Sequence, residues 1–174
     1  MKISKKRLLL APLITLAVSS TAMASPGVYF GVGLGDAKLN ETSIDDETGK
    51  KFFAGYQINR FFAVEAGYTD FGSFKSSSIG TTSELDGFET TVLASYPIGS
   101  RFSVFGRFGL WNWDYETTAA TGVKIGSKDG RNIVHGIGAD FNLNRRIKLR
   151  GSWDEYRVDN GIANNISLNL VYNF

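Results

Sequence analysis

The ten carboxy-terminal residues alternate between apolar and mostly polar side chains. Ile166, Leu168, Leu170, Tyr172 and Phe174 occupy every second position, with asparagine, serine and one valine between them. Side chains two residues apart share one face of a β-strand, so this stretch predicts a strand with one apolar and one mostly polar face. The alternation alone leaves two kinds of sheet open. One packs on a core, and the other is a closed barrel with lipid outside and a polar lumen inside.

Residues 1–24 have the composition of a secretory signal peptide. Four basic residues lie among the first seven, the apolar run 8–18 follows, and Ala22 and Ala24 provide the small residues that a signal peptidase requires. The apolar run is too short to cross a bilayer as a helix. We expect cleavage after Ala24, which leaves 25–174 as the barrel domain. Cleavage removes four basic residues and no acidic one, so the formal charge falls from +2 for the whole sequence to −2 for the mature chain. This charge gives no support to nucleic-acid binding.

The remainder of the chain limits how a membrane could be crossed. The sequence contains no cysteine, so no disulfide holds the exported chain together. It has no mature stretch of about 20 consecutive apolar residues, which excludes helical spans. A closed barrel is the other structure that satisfies every backbone polar group in lipid.

Alternation and turn residues predict eight strands joined by connections that alternate in length. The predicted strands are 27–36, 49–58, 61–71, 87–97, 102–114, 131–143, 146–156 and 163–174. Tight turns lie at 59–60, 97–101 and 144–145, and the longer polar loops are 37–48, 72–86, 115–130 and 157–162. Within the third loop, Gly126 to Gly130 is typical of a turn. Short turns at one rim and long loops at the other are typical of an all-β, eight-stranded antiparallel up-and-down transmembrane β-barrel.

A water-soluble eight-stranded barrel with an internal ligand cavity is the main alternative. The seventh predicted strand illustrates the difference, because Leu149 and Trp153 lie opposite Lys148, Arg150 and Asp154. One face is large and apolar, and the other carries whole charges and many of the 20 glycines. Small residues suit a narrow lumen in which strands curve tightly, so we expect the apolar face to point towards lipid.

Five short segments resemble the OmpA-like transmembrane domain family. They are GYQIN at 55–59, FAVEAGY at 62–68, ASYPI at 94–98, GRFG at 106–109 and YNF at 172–174. The resemblance implies an eight-stranded barrel in the outer membrane of Gram-negative bacteria. Full-length relatives often carry a periplasmic peptidoglycan-binding domain after the barrel. The sequence stops at the last predicted strand, so we expect the barrel without that domain.

Four charged residues are candidates for a structural ion-pair network in the lumen: Glu65, Arg107, Asp140 and Arg150. Each lies on the polar face of its strand, about four or five residues from the short-turn rim. Two acids and two bases enclosed in a narrow lumen should pair, because an unpaired enclosed charge costs several kcal/mol. The resemblance implies the same pairing, since these positions match lumen charges of the family. One lumen lysine of the family corresponds to Leu93 here, so the network is altered.

The sequence predicts no catalytic, cofactor-binding or metal-binding residues. The only histidine, His135, falls on the outward face near the loop rim by its parity with Asp140. No serine with an orienting acid lies beside it, as a barrel lipid hydrolase or acyltransferase would require. The acidic clusters at 45–47 and at Glu84 and Asp86 lack the ligand spacing of a calcium loop. We expect solvated loop faces there.

These patterns together predict a structural, membrane-integrity role in the cell outer membrane. The protein would display four extracellular loops and form at most a narrow, intermittent pore, because side chains nearly fill an eight-stranded lumen. One alternative is a surface adhesin, or a barrel that binds a ligand or phage through its loops. The less favoured one is a lipid-modifying enzyme centred on His135. We expect a monomer whose partners are outer-membrane lipids, lipopolysaccharide and the insertion machinery. Related barrels present a terminal aromatic to that machinery, so Phe174, with Tyr172, is the expected assembly signal.

Overall fold

The computed structural model describes residues 26–39, 47–76, 81–119, 124–158 and 161–174. The predicted leader at 1–24 lies outside the described residues. The described residues form eight strands: β1 (Gly27–Leu39), β2 (Glu47–Gln57), β3 (Phe62–Ser76), β4 (Thr81–Ile98), β5 (Phe102–Ala119), β6 (Lys124–Asn142), β7 (Ile147–Val158) and β8 (Gly161–Asn173). Within the same ranges, no helix is long and apolar enough to span a membrane.

Every strand pairs antiparallel with the next strand in the chain, and the last strand returns to the first. The β1–β8 ladder runs from Tyr29 opposite Asn173 to Leu39 opposite Ala163, so the sheet closes into a barrel. The closed, eight-stranded antiparallel barrel confirms the predicted fold class. We call the end with the three tight turns the short-turn rim, and the opposite end the loop rim.

Asparagine side chains build two of the tight turns. Asn59 Oδ1 accepts hydrogen bonds from the backbone N–H groups of Phe61 and Phe62 at 2.8 and 3.0 Å. Asn144 Oδ1 accepts from the N–H groups of Arg146 and Ile147, both at 2.8 Å. An asparagine that bonds the backbone two and three residues ahead replaces part of the interrupted ladder, and this favours a tight turn.

The two faces of the sheet divide as the alternation predicts. Along β8, the side chains of Ile166 and Leu168 are exposed outwards, whereas Asn165, Ser167 and Asn169 are buried in the lumen. The apolar outward face continues around the barrel as a band. On β5 this band extends from Phe102 to Leu110 and ends where the outward residues become Asn112 and Asp114.

Four strands extend well beyond their predicted ends towards the loop rim. β3, β4, β5 and β6 include most of the predicted loops 72–86 and 115–130, and Gly126 to Gly130 lie in β6 rather than in a turn. In β6 the alternation disappears because both faces of the strand are exposed, as the uniformly exposed residues from Lys124 to Asp129 show. Period-two patterning reports one buried face, so it cannot detect a strand whose two faces both meet water.

Some glycines are required by the close approach of neighbouring strands. A Cβ on Gly109 would overlap the backbone carbonyl oxygen of Thr90 and lie 2.7 Å from the Cα of Thr91. Gly106, on the same strand, points outwards, and the nearest atom to its Cβ would be the Gly136 carbonyl oxygen at 4.0 Å. The first glycine is therefore needed for packing, and the second is not.

We expect Gly109→Ala to destabilise the barrel by about 1–3 kcal/mol, because the methyl group meets backbone that has to shift. Gly106→Ala is the matched control and should leave the free energy of unfolding unchanged or slightly higher, since alanine restricts the unfolded chain. Urea unfolding in lipid vesicles, followed by tryptophan fluorescence, measures both changes. Equal effects of the two substitutions would contradict this account of Gly109.

Candidate functional site

Arg150 is the centre of a charged group in the lumen near the short-turn rim, which we call the lower group. Its Nε and Nη2 donate to the two carboxylate oxygens of Asp140 at 2.7 and 3.1 Å, and its Nη1 pairs with Glu65 Oε1. Lys148 Nζ lies 3.3 Å from Asp140 Oδ2, and the Tyr29 hydroxyl donates to Glu65 Oε1 at 2.7 Å. The bidentate contact fixes the guanidinium plane as well as its charge.

A second charged group, the upper group, lies further towards the loop rim. Lys51 Nζ is 2.7 Å from Glu89 Oε1 and 3.6 Å from Asp154 Oδ2. Arg107 Nη2 is 2.8 Å from Glu89 Oε2, and its Nε is 3.3 Å from Asp154 Oδ1. Lys51 also donates to the Tyr156 hydroxyl at 3.2 Å. Two bases and two acids thus alternate around this cross-section of the lumen.

Each group has two basic and two acidic members and therefore no formal net charge. Every side chain of the upper group is at most 3% exposed, so water does not solvate these charges. Enclosed charges are tolerated only when partners replace water, and removing one partner costs about 3–5 kcal/mol. The alternation of signs around the lumen thus compensates for the loss of water.

Aromatic side chains fill the lumen around and beyond the charges. Phe71, Trp111 and Tyr156 pack edge to face with ring centroids 4.9 to 5.8 Å apart, and we call these three rings the aromatic cap. The Trp111 Nε1 donates to the Arg157 carbonyl oxygen at 2.9 Å, which satisfies its polar atom. The Arg150 guanidinium carbon lies 4.7 Å from the centroid of the Phe105 ring. The described lumen is therefore a packed interior.

The structure divides the four candidate network residues between the two groups. Glu65, Asp140 and Arg150 meet in the lower group, whereas Arg107 belongs to the upper group. Leu93 is buried and lies opposite Arg107 on the adjacent strand. Sequence reasoning missed the other four charged members of the two groups, which are Lys51, Glu89, Lys148 and Asp154. A signal existed, because each lies on the inward parity of its strand.

Four aspartates form a row on the outward surface just beyond the apolar band. Asp70, Asp86, Asp114 and Asp129 lie directly opposite one another on β3, β4, β5 and β6. The Tyr68 hydroxyl donates to Asp86 Oδ2 at 2.7 Å. Partial burial, with the carboxylates of Asp86 and Asp129 on either side, raises the pKa of Asp114 above its ordinary value. Like charges placed directly opposite one another destabilise a sheet.

His135 lies on the outward face, where it contacts another charged side chain. Its Nε2 is 3.7 Å from Glu155 Oε1, and Glu155 is also 3.7 Å from the Arg157 Nε. Its cross-strand neighbours are Phe108 and Glu155. These contacts place the imidazole beside the surface ion pair of Glu155 and Arg157.

The two acidic clusters are predicted to be solvated loop faces. Among the described residues, no group of three or more histidine, cysteine, aspartate or glutamate side chains is arranged to hold a metal ion. Glu84 and Asp86 lie in β4, and Asp45 and Asp46 lie outside the described residues.

A family model described as "OmpA-like transmembrane domain" matches residues 24–173. This chain belongs to that family. Among curated relatives, it is 28% identical to outer membrane protein A of Klebsiella pneumoniae over 82% of this chain and 45% of the relative. It is 25% identical to outer membrane protein A of Shigella flexneri over 84% of this chain and 48% of the relative. The chain thus spans about half the length of these relatives.

Solved structures of small outer-membrane barrels share the fold. Neisserial surface protein A superposes with a TM-score of 0.67 at 14% identity, covering 86% of this chain and 97% of that one. The attachment invasion locus protein Ail of Yersinia pestis superposes with a TM-score of 0.65 at 17% identity, covering 88% and 100%. Identities this low show the fold alone. Together with the family match and the apolar band, they establish an outer-membrane β-barrel.

We expect Arg150→Ala in this OmpA-like barrel to cost about 3–5 kcal/mol, because Glu65 and Asp140 would stay buried without their main cation. The double change Arg150→Ala with Glu65→Gln should cost less than the sum of the two single changes. Urea unfolding of all four proteins in one lipid system gives the coupling free energy. Strictly additive losses would mean that the two residues do not interact.

We expect Asp114→Asn to stabilise the barrel at neutral pH by about 0.2–1 kcal/mol, the usual range for an exposed cross-strand pair. When the pKa of a carboxyl is higher in the folded than in the unfolded state, the protein loses stability as the pH rises through that pKa and regains it on acidification. The advantage of the asparagine should therefore disappear at a pH below the ordinary aspartate pKa. Asp36→Asn is the matched control, because its cross-strand neighbours are Thr48 and Ile166. The same gain from both substitutions would contradict repulsion along the row.

Proposed function

We propose that this barrel is a structural component of the outer membrane that supports membrane integrity and displays its loop rim outside the cell. The packed lumen is the observation that carries the proposal. The lower and upper groups carry no net charge and, with the aromatic cap, fill the lumen like a folded core. The apolar band on the outer surface matches lipid. Any conductance is small and intermittent, because an ion would have to displace Phe71, Trp111 and Tyr156 to cross the cap.

The proposed partners follow from the same surfaces. Outer-membrane lipids contact the band, and lipopolysaccharide headgroups meet the polar residues beyond it. We assign the assembly signal for the insertion machinery to Phe174 and Tyr172, whose rings lie 5.1 Å apart. Phe174 also packs 5.9 Å from Phe30 on β1, so the terminal ring lies across the seam where the barrel closes. The barrel acts as a monomer.

A second candidate function is specific binding at the cell surface. The observation that favours it is the extension of β4, β5 and β6 beyond the band, which presents an ordered sheet to the outside. One structural neighbour, Ail of Yersinia pestis, is described in complex with the heparin analogue sucrose octasulfate. A lipid-modifying activity has less support, because the residues opposite His135 on the adjacent strands are Phe108 and Glu155, and neither is a serine nucleophile. We propose no enzymatic activity.

Removal of the projecting hairpin separates the two candidates. Residues 115–128 would be replaced by Asn-Gly, which forms a two-residue turn between Asp114 and Asp129. These two residues lie opposite each other in the β5–β6 ladder. We expect the trimmed barrel to insert, to migrate differently before and after boiling, and to restore the detergent resistance of a deletion strain. The ladders at the short-turn rim and the lumen groups remain intact in this variant.

A variant without Phe174 is the control, and we expect it to insert poorly. A trimmed barrel that inserts normally but fails to restore resistance would contradict the structural role and favour the binding role. Normal insertion without Phe174 would contradict its assignment as an assembly signal.

A further inference from the structure

The upper part of β6 has a neighbouring strand on one side only within the described structure. Its ladder with β5 continues up to Lys124 opposite Thr118, whereas its ladder with β7 ends at Val134 opposite Tyr156. β7 itself ends at Val158. Residues 124–133 are therefore an edge strand at the loop rim, and we call them the β6 edge. An edge strand presents a row of backbone donors and acceptors to any extended chain that approaches it.

The hydrogen bonds at the other end of β6 show which backbone groups face outwards along this edge. Asn142 N–H donates to Arg101 on the β5 side at 2.8 Å, and Leu143 N–H donates to Ile147 on the β7 side at 2.9 Å. Backbone groups of successive residues point to opposite sides of a strand. Even-numbered residues of β6 thus bond to β5, and Ser127, Asp129 and Arg131 direct their N–H and C=O groups to the β6 edge.

We propose that the β6 edge binds an extended acidic peptide segment of a protein outside the cell by adding it as a further strand. The proposal rests on the second candidate function and names its site and the chemistry of its partner. Strand addition supplies affinity through main-chain hydrogen bonds and specificity through side chains on both faces. Membership of the OmpA-like family does not by itself imply a peptide-binding site at the β6 edge.

Charge selects the partner. The β6 edge carries three basic residues, Lys124, Lys128 and Arg131, and one acidic residue, Asp129, which gives it a formal charge of +2. All four are exposed. Lys124 pairs with Glu116, and Arg131 Nε donates to Asn112 Oδ1 at 2.7 Å. Both partners lie on β5, so an added strand would compete with them for these two basic side chains. Opposite charges on directly facing strands are favourable, so an added strand fits best with its glutamates or aspartates opposite Lys124 and Lys128, away from Asp129.

A second copy of this barrel fits the edge less well. Two copies inserted in one membrane have β6 running in the same direction, which excludes antiparallel pairing of their edges. Their approach would also bring the same three basic residues together. The alternative to recognition is that lysine and arginine protect the edge from pairing with any chain, as charged residues commonly do on edge strands. Binding of an acidic peptide distinguishes protection from recognition.

The test uses the full barrel in lipid nanodiscs and a fluorescent eight-residue probe in which valine or threonine alternates with glutamate. Ser127→Pro removes one outward N–H while leaving the even-numbered bonds to β5, and proline is tolerated on edge strands. We expect this variant to bind the probe about tenfold more weakly, the factor that corresponds to one or two net hydrogen bonds. Ser127→Ala, which keeps the N–H, should bind as the parent does. Asp129→Pro should likewise bind more weakly than Asp129→Ala, which removes the same charge and keeps the N–H.

A second readout locates the bound probe on the strand. The amide protons of Asp129 and Arg131 should gain protection from hydrogen exchange, and those of Lys128 and Gly130 should not change. A probe with lysine in place of glutamate should bind more weakly. Equal binding by the proline and alanine variants, or no binding of the glutamate probe, would overturn the proposal. A barrel whose gel migration does not change on boiling has not folded, and this outcome would instead count against the proposed membrane role.

Discussion

Ring closure is the constraint on which the rest of the structure depends. Lipid offers no hydrogen-bond partner, so a sheet in the membrane has to return its last strand to its first. Here β8 pairs with β1 along eleven opposed residue pairs, from Tyr29 with Asn173 to Leu39 with Ala163. Closure makes one face of every strand a lumen and the other a lipid surface. The composition of each face follows from that division.

The lumen resolves a conflict that closure creates. The lumen is too narrow to hold enough water to solvate polar side chains. Polar side chains nevertheless have to point inwards, because the apolar ones face lipid. The structure meets this with charges in two balanced groups and with aromatic rings above and around them. Arg150 shows both solutions at once, since it pairs with two carboxylates and lies among the rings of Tyr29, Phe53 and Phe105. Glycines such as Gly109 give the strands room to approach one another around these large side chains.

The sequence predicts the barrel well where one face of a strand is apolar. The alternation from Ile166 to Phe174 and the asparagines of the tight turns lead to β8 and to the short-turn rim. The prediction falls short where that contrast ends, as in β6 between Lys124 and Gly130. The lumen shows the same limit. Parity places Arg107 inside the barrel, but only the register between strands shows that it meets Glu89 and Asp154 rather than Glu65.

The balance of charge within each lumen group has a consequence for how the barrel responds to an electrical potential. A field across the membrane does work on net charge, at about 2.3 kcal/mol per elementary charge per 100 mV. The lower and upper groups each sum to zero, so a uniform potential exerts no net force on either. The potential can only reorient individual ion pairs, and the packed aromatic rings around them oppose that motion. A potential across the membrane therefore does no net work on either lumen group as a whole.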